Sequence, residues 1–334
     1  MEEEQKIFKK GNQTLYFSCR FFPKKVRDDM FRLYSFFGVT ENYVNKDKQP
    51  KKFFAIEKSF ETAKADHSFD AIAHKWDDID MRAIKNIVHL QNKYKFDSSL
   101  MEAFFKSMKM DLDGRNYKTI DQTLDYVYGS AEVISLMVAK SLKLPDESYE
   151  SVRAEGRALQ WMNFVRDIGL DAEQGKCYFP TEELSKYDLK DLSEETTKAN
   201  PEKFKKFVQV QINRYRKWQT EASKDLNLVP ERYQVPIRTV INMYDWTARK
   251  IELNPLIVYE KKIKPRKRQV IRHVIKNTAK GSARVTARTT RQVGRGVKKV
   301  KPATKEAIPK IKQAPTIAKD KALEIKDKYI ETED

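Results

Sequence analysis

Gly156 to Pro180 reads GRALQWMNFVRDIGLDAEQGKCYFP. A helix turns about 100° per residue, so Gln160, Asn163, Asp167 and Asp171 fall at about 0°, 300°, 340° and 20° around one axis. Four polar side chains therefore share one narrow stripe. Leu159, Trp161, Met162, Phe164, Val165 and Ile168 surround it. The pattern predicts a helix buried nearly all round, with its polar stripe lining a cavity. Two carboxylates one turn apart, flanked by amides, are hard oxygen donors of the kind Mg²⁺ takes, and Mg²⁺ brings substrate phosphates with it. The competing reading of the same spacing is a surface helix whose aspartates pair with Arg166 or Lys176.

The rest of the 334-residue chain has the same helical character. Glycine and proline are scarce, at 10 and 12. Ile84, Ile87, Val88 and Leu90, and again Phe204, Phe207, Val208, Val210 and Ile212, recur at helical spacing. Pro23, Pro50, Pro145, Pro180, Pro201, Pro230 and Pro255 punctuate these segments. The expectation is an all-α fold of antiparallel helices around a central cavity. No run of 18 or more apolar residues occurs, which argues against a spanning helix. The first residues, MEEEQKIFKK, lack a basic-then-apolar leader pattern. Cys19 and Cys177 are too few for a disulfide framework and suit a reducing, cytoplasmic setting as packing residues.

Charge divides the chain. Residues 261–334 hold 23 Lys and Arg against 7 Asp and Glu, a net of +16 within the chain's total of +18. The body is almost neutral, so the expected division is a folded domain over 1–262 and a basic tail, amphipathic or disordered, over 263–334. Val270, Ile271, Val274 and Ile275 stand at helical spacing among the cations. Such a segment can lie on an anionic membrane surface, giving peripheral association. It can also be a solvated appendage with no partner. Nucleic acid is the third candidate, but residues 261–328 carry no Phe, Tyr or Trp ring on which a base could stack.

The motif NFVRDIGLD followed by EQGKCYFP resembles the second Asp-rich motif of the squalene/phytoene synthase family, with Asn163, Arg166, Asp167, Asp171, Gly175, Tyr178 and Pro180 matching. YVYGSAEVISLM, Tyr126 to Met137, resembles the family's helix beside the prenyl pocket. FFPKKVRDDMFRLYSFFGVTENYVN, Phe21 to Asn45, resembles the stretch entering its first Asp-rich motif. These segments lie in the family's order over about residues 8 to 262. The resemblance implies an isoprenoid synthase helical bundle and a Mg²⁺-dependent prenyltransferase that joins two prenyl diphosphates head to head. The phytoene branch, to which the chain is more similar, uses geranylgeranyl diphosphate and no reductant; the squalene branch uses farnesyl diphosphate and NADPH.

The first motif departs from the family's Arg and D-D-x-x-D. Aligned on Leu33-Tyr34, those positions are Gly38, Glu41, Asn42 and Asn45. They still share one helical face, but two carboxylates and one guanidinium are gone. Amides hold hard cations weakly, so a catalytically impaired prenyl-lipid binder or partner subunit stays open beside the enzyme. The resemblance assigns Asp167, Asp171, Glu41 and Tyr126 to catalysis. It assigns Asp167, Asp171, Asn163 and Glu41 to the metal, and Gln160, Asn163, Arg166, Asn42, Asn45, Tyr244 and Lys176 to substrate. Lys24 and Lys25 are further phosphate candidates, and Phe36, Phe37, Trp161 and Met137 further pocket candidates beside Tyr126. Asp77, Asp78 and Asp80 read as a helix cap rather than a metal site.

Overall fold

The computed structural model describes residues 1–66, 69, 77–260, 263, 265, 269–270 and 272–278. Among these, every regular element is a helix. The first are α1 (Glu2–Gly11), α2 (Gln13–Cys19) and α3 (Lys24–Glu41). One π-turn (Asn42–Lys46) follows α3 directly. Then come α4 (Pro50–Asp66), α5 (Asp78–Tyr94), α6 (Ser98–Leu112) and α7 (Ile120–Val127). A second π-turn (Tyr128–Glu132) leads into α8 (Val133–Leu142), and a 3₁₀ turn (Asp146–Ser148) into α9 (Tyr149–Glu173). The remainder is α10 (Thr181–Lys186), α11 (Glu194–Ala199), α12 (Pro201–Ala222), α13 (Glu231–Leu253) and α14 (Ile257–Glu260).

The prolines act as the sequence predicts. Pro23, Pro180 and Pro230 are N-cap residues of α3, α10 and α13, while Pro50 and Pro201 begin α4 and α12. Proline fits a helix start because its missing N–H has no intrahelical partner there. Asp77 caps α5 by accepting hydrogen bonds from the backbone N–H groups of Ile79 and Asp80, both at 3.0 Å.

Helix α9 runs through the body for 25 residues. It packs along α12, α8 and the second π-turn. Trp161, Met162 and Val165 are fully buried, and Phe164 and Ile168 nearly so. Two glycines let the helices approach. A Cβ on Gly129 would lie 2.0 Å from the Ala103 carbonyl oxygen on α6, and one on Gly156 would lie 2.6 Å from Ser135 Oγ. Both contacts would force backbone or side chain to move.

Most of the basic segment, with Lys261, lies outside the described residues. Within it, residues 272–278 are helical. Val270 and Val274 are buried in the body, and Asn277 donates to Thr239 Oγ1 and accepts from Asn242, each at 3.2 Å. Val270 and Val274 therefore face the body rather than an open surface.

Candidate functional site

A cavity of about 300 Å³ opens between α1–α3, α6–α9 and α13. The stripe on α9 forms one wall, with Gln160, Asn163, Asp167 and Asp171 all lining it. The stripe faces the cavity on a buried helix, not a surface one, although one aspartate is ion-paired with Arg166 as the competing reading allowed. Arg166 Nε and Nη2 donate to Asp167 Oδ1 and Oδ2 at 3.0 and 2.6 Å. Burial opposes the guanidinium charge, but Asp167 outweighs it and raises the pKa of Arg166 further. Tyr244 on α13 donates to Asn163 Oδ1 at 3.1 Å, and Asn163 Nδ2 donates to Gln160 at 3.2 Å. The amides are thereby oriented.

The C-terminal end of α3 and its π-turn form the opposite wall. Glu41 and Asn45 line the cavity, whereas Asn42 does not. Burial, reinforced by the charge of Asp111, pushes the Glu41 carboxyl up to about 7. Gly38 also lines the cavity, and the Ile7 side chain of α1 covers it.

Asp111, at the end of α6, is the residue that sequence reasoning undervalued. Its carboxylate accepts from Tyr178 Oη and Tyr126 Oη at 2.8 Å each, and from Asn45 Nδ2 at 3.3 Å. Burial and this carboxylate raise the Tyr126 phenol well above its ordinary pKa, so it stays protonated. The local sign was the segment MDL, Met110 to Leu112, which resembles a family segment of helix-packing or metal-adjacent use. Asn12 was likewise missed: it caps α2, and its Nδ2 donates to Tyr244 at 3.4 Å.

Lys176 does not stand among the lining residues but reaches one of them. The turn after α9 passes through Gly175 at φ +70°, a left-handed conformation that glycine adopts freely. The Lys176 N–H then donates back to the Asp171 carbonyl at 2.8 Å. Its side chain crosses to the other wall, where Nζ donates to Asn45 Oδ1 at 2.5 Å. The neighbouring cation Lys46 lowers the pKa of Lys10. They neighbour the lining residues Gly11 and Asn45.

Aromatic faces complete the enclosure. Tyr126, Phe164, Tyr178, Phe37, Tyr34 and Phe8 line the cavity. Phe164 stacks on Tyr178 at 4.6 Å, and Phe8 on Tyr34 at 4.3 Å. Phe36, Trp161 and Met137 are instead sealed in the core, each fully buried away from the cavity. Lys24 pairs with Asp28 on the first turn of α3, and neither it nor Lys25 lines the cavity. A second chamber of about 140 Å³ shares Leu15, Tyr34, Ser135 and Leu159 with the first. It is walled mostly by aliphatic residues such as Val138, Leu142, Leu226 and Ile237, with two carboxylates, Glu155 and Asp225, and several serines among them.

The donor sets of the two walls differ. Among the described residues, no three His, Cys, Asp or Glu side chains gather as a ready metal cage. Asp167, Asp171 and Asn163 fit one side of a Mg²⁺ site that phosphate oxygens and water would complete. The Glu41 wall does not fit: Asn45 is held by Lys176 and Asp111, and Asn42 is turned away from the cavity lining.

The sequence profile of the squalene/phytoene synthase family matches residues 8–270. The chain is similar to the chloroplastic phytoene synthase of Narcissus pseudonarcissus, 30% identical over 45% of this chain and 37% of that protein. It is 22% identical to the 15-cis-phytoene synthase of Synechococcus elongatus, over 78% of this chain and 86% of the relative. The matches to the plant relatives thus span well under two thirds of their length. A dehydrosqualene synthase crystal structure superposes with a TM-score of 0.64 at 16% identity, covering 82% of this chain and 96% of that one. A squalene synthase of Alicyclobacillus acidocaldarius superposes with a TM-score of 0.63 at 16% identity, covering 75% and 92%. These likenesses establish a shared all-α fold.

Proposed function

This chain belongs to the squalene/phytoene synthase family, and from that premise we propose that it joins two prenyl diphosphates head to head. The favoured pair is two molecules of geranylgeranyl diphosphate, giving phytoene without a reductant. The names of the relatives support that branch. The observation that carries the proposal is the α9 stripe facing aromatic walls in a cavity that shares lining residues with an aliphatic chamber.

The chemistry has two parts. C1 of one substrate ionises, and the C2–C3 double bond of the other attacks it. Loss of one proton closes a cyclopropane, leaving a cyclopropylcarbinyl diphosphate, one diphosphate and one proton. The second diphosphate then departs, the ring rearranges, and loss of a further proton gives the hydrocarbon. Mg²⁺, held by Asp167, Asp171 and Asn163, would supply positive charge to the leaving group. Arg166 fixes the orientation of Asp167, and Tyr244 and Gln160 fix that of Asn163. Phe37, Tyr126, Phe164 and Tyr178 exclude water, and their ring faces tolerate a nearby carbocation.

Such a product is insoluble in water, and a membrane is its natural sink. The basic residues after 278 are proposed to dock the enzyme on an anionic surface. No helix among the described residues is long and apolar enough to cross a membrane.

The test is a product assay with full-length protein, Mg²⁺ and detergent. Geranylgeranyl or farnesyl diphosphate is offered with and without NADPH. A C40 hydrocarbon without NADPH, with two diphosphates released per product, is the expected result. The altered first wall favours a second reading, a non-catalytic prenyl-lipid binder. Bound substrate with no hydrocarbon would select it.

A further inference from the structure

We infer that the first-motif wall holds a diphosphate through the Lys176 ammonium group in place of a metal clamp. The inference rests on the proposed substrate class and concerns how this chain binds it. Three observations support it. Asn45 stands where a carboxylate would bring a cation, and its Oδ1 instead accepts from Lys176 Nζ at 2.5 Å. An amide oxygen is neutral, so it leaves the ammonium charge uncancelled, unlike a carboxylate partner. Asp111, the carboxylate that shares Asn45 with Lys176, is already engaged by Tyr126, Tyr178 and Asn45.

The position of Lys176 is built rather than incidental. Gly175 turns the chain, and the Lys176 N–H is bonded to the Asp171 carbonyl. One side chain therefore spans from the α9 stripe to the α3 wall, linking residues 131 apart in sequence. A lysine ammonium has three donors. Asn45 takes one, and the others are available to phosphate oxygens. The arrangement replaces a divalent ion shared between carboxylates with a fixed monovalent charge. A diphosphate bound there needs no divalent cation on that side.

The test uses the full-length protein and inorganic pyrophosphate, with divalent ions removed by EDTA. Titration calorimetry at fixed ionic strength compares wild type, Lys176→Met and Lys176→Arg. Metal-free binding by wild type, weakened at least about tenfold by Lys176→Met and largely retained by Lys176→Arg, is expected. Lack of metal-free binding would overturn the inference. So would equal binding by wild type and Lys176→Met, the outcome if pyrophosphate sits on the basic residues after 278. A second readout counts Mn²⁺ by electron paramagnetic resonance in the presence of pyrophosphate. The Asn45→Asp, Lys176→Met double variant should hold one more Mn²⁺ than wild type; an unchanged count contradicts the inference. Neither readout depends on hydrocarbon formation, so failure of the proposed reaction and failure of this inference are separable.

Discussion

The Ile7 Cγ2 methyl of α1 lies 2.8 Å from where a Cβ on Gly38 would stand. Gly38 is thus part of a packed interface between α3 and α1. Gly38→Arg should displace α1 and destabilise the protein by about 1–3 kcal/mol, the usual range for overpacking. It should add no turnover by itself. Denaturant melts and a product assay check both, and a stable Gly38→Arg with raised activity would refute the packing argument.

The two aspartates of the α9 stripe should separate when mutated. Asp171→Asn should abolish turnover, to below about one hundredth of wild type. Asp167→Asn should abolish turnover and also destabilise the fold, because it leaves the buried Arg166 guanidinium without its bidentate partner. Breaking such a pair costs about 3–5 kcal/mol when fully buried, and somewhat less here. Turnover surviving in both variants would mean that the site is elsewhere.

Asp111→Asn keeps the shape of the side chain but removes the charge that accepts from Tyr126, Tyr178 and Asn45. Loss of charge-assisted bonds predicts a destabilisation of about 2 kcal/mol. It should also lower the pKa of Glu41, since Asp111 is one of the two causes that raise it. Titration of the Glu41 carboxyl by difference infrared spectroscopy, against Glu41→Gln, checks the second point. An unmoved pKa would separate the two groups electrostatically.

Glu155 gives a pH signature. It lines the aliphatic chamber, and burial pushes its carboxyl from 4.5 up to about 7 despite the hydrogen bond from Gln219. Between those values the folded state binds more protons than the unfolded state. Its contribution to stability is therefore present below about 4.5 and lost as pH rises through about 7. Glu155→Gln removes this dependence. The variant should exceed wild type by about 1–3 kcal/mol at pH 8 and match it near pH 4. A difference that does not change with pH would place Glu155 in a polar environment.

Much of this was legible in the sequence because it is local. The α9 stripe follows from a fixed turn per residue, the helix starts from proline geometry, and the α5 cap from Asp77 and its two following N–H groups. The stripe lines a cavity, as its spacing implied, for the same reason. Phe36, Trp161 and Met137 were not distinguishable from pocket residues. An apolar side chain on a helix buried all round gives no signal of which neighbour it meets.

The sequence by itself determined an all-α chain, a polar stripe on a buried helix and a basic C-terminal segment, since periodicity and charge are properties of neighbouring residues. Only the tertiary structure decided that Lys176 crosses to Asn45, that Asp111 gathers two tyrosines and an amide, and that Ile7 fills the space at Gly38. Those contacts join residues from different helices, and their distances are set by how whole helices pack rather than by any spacing along the chain.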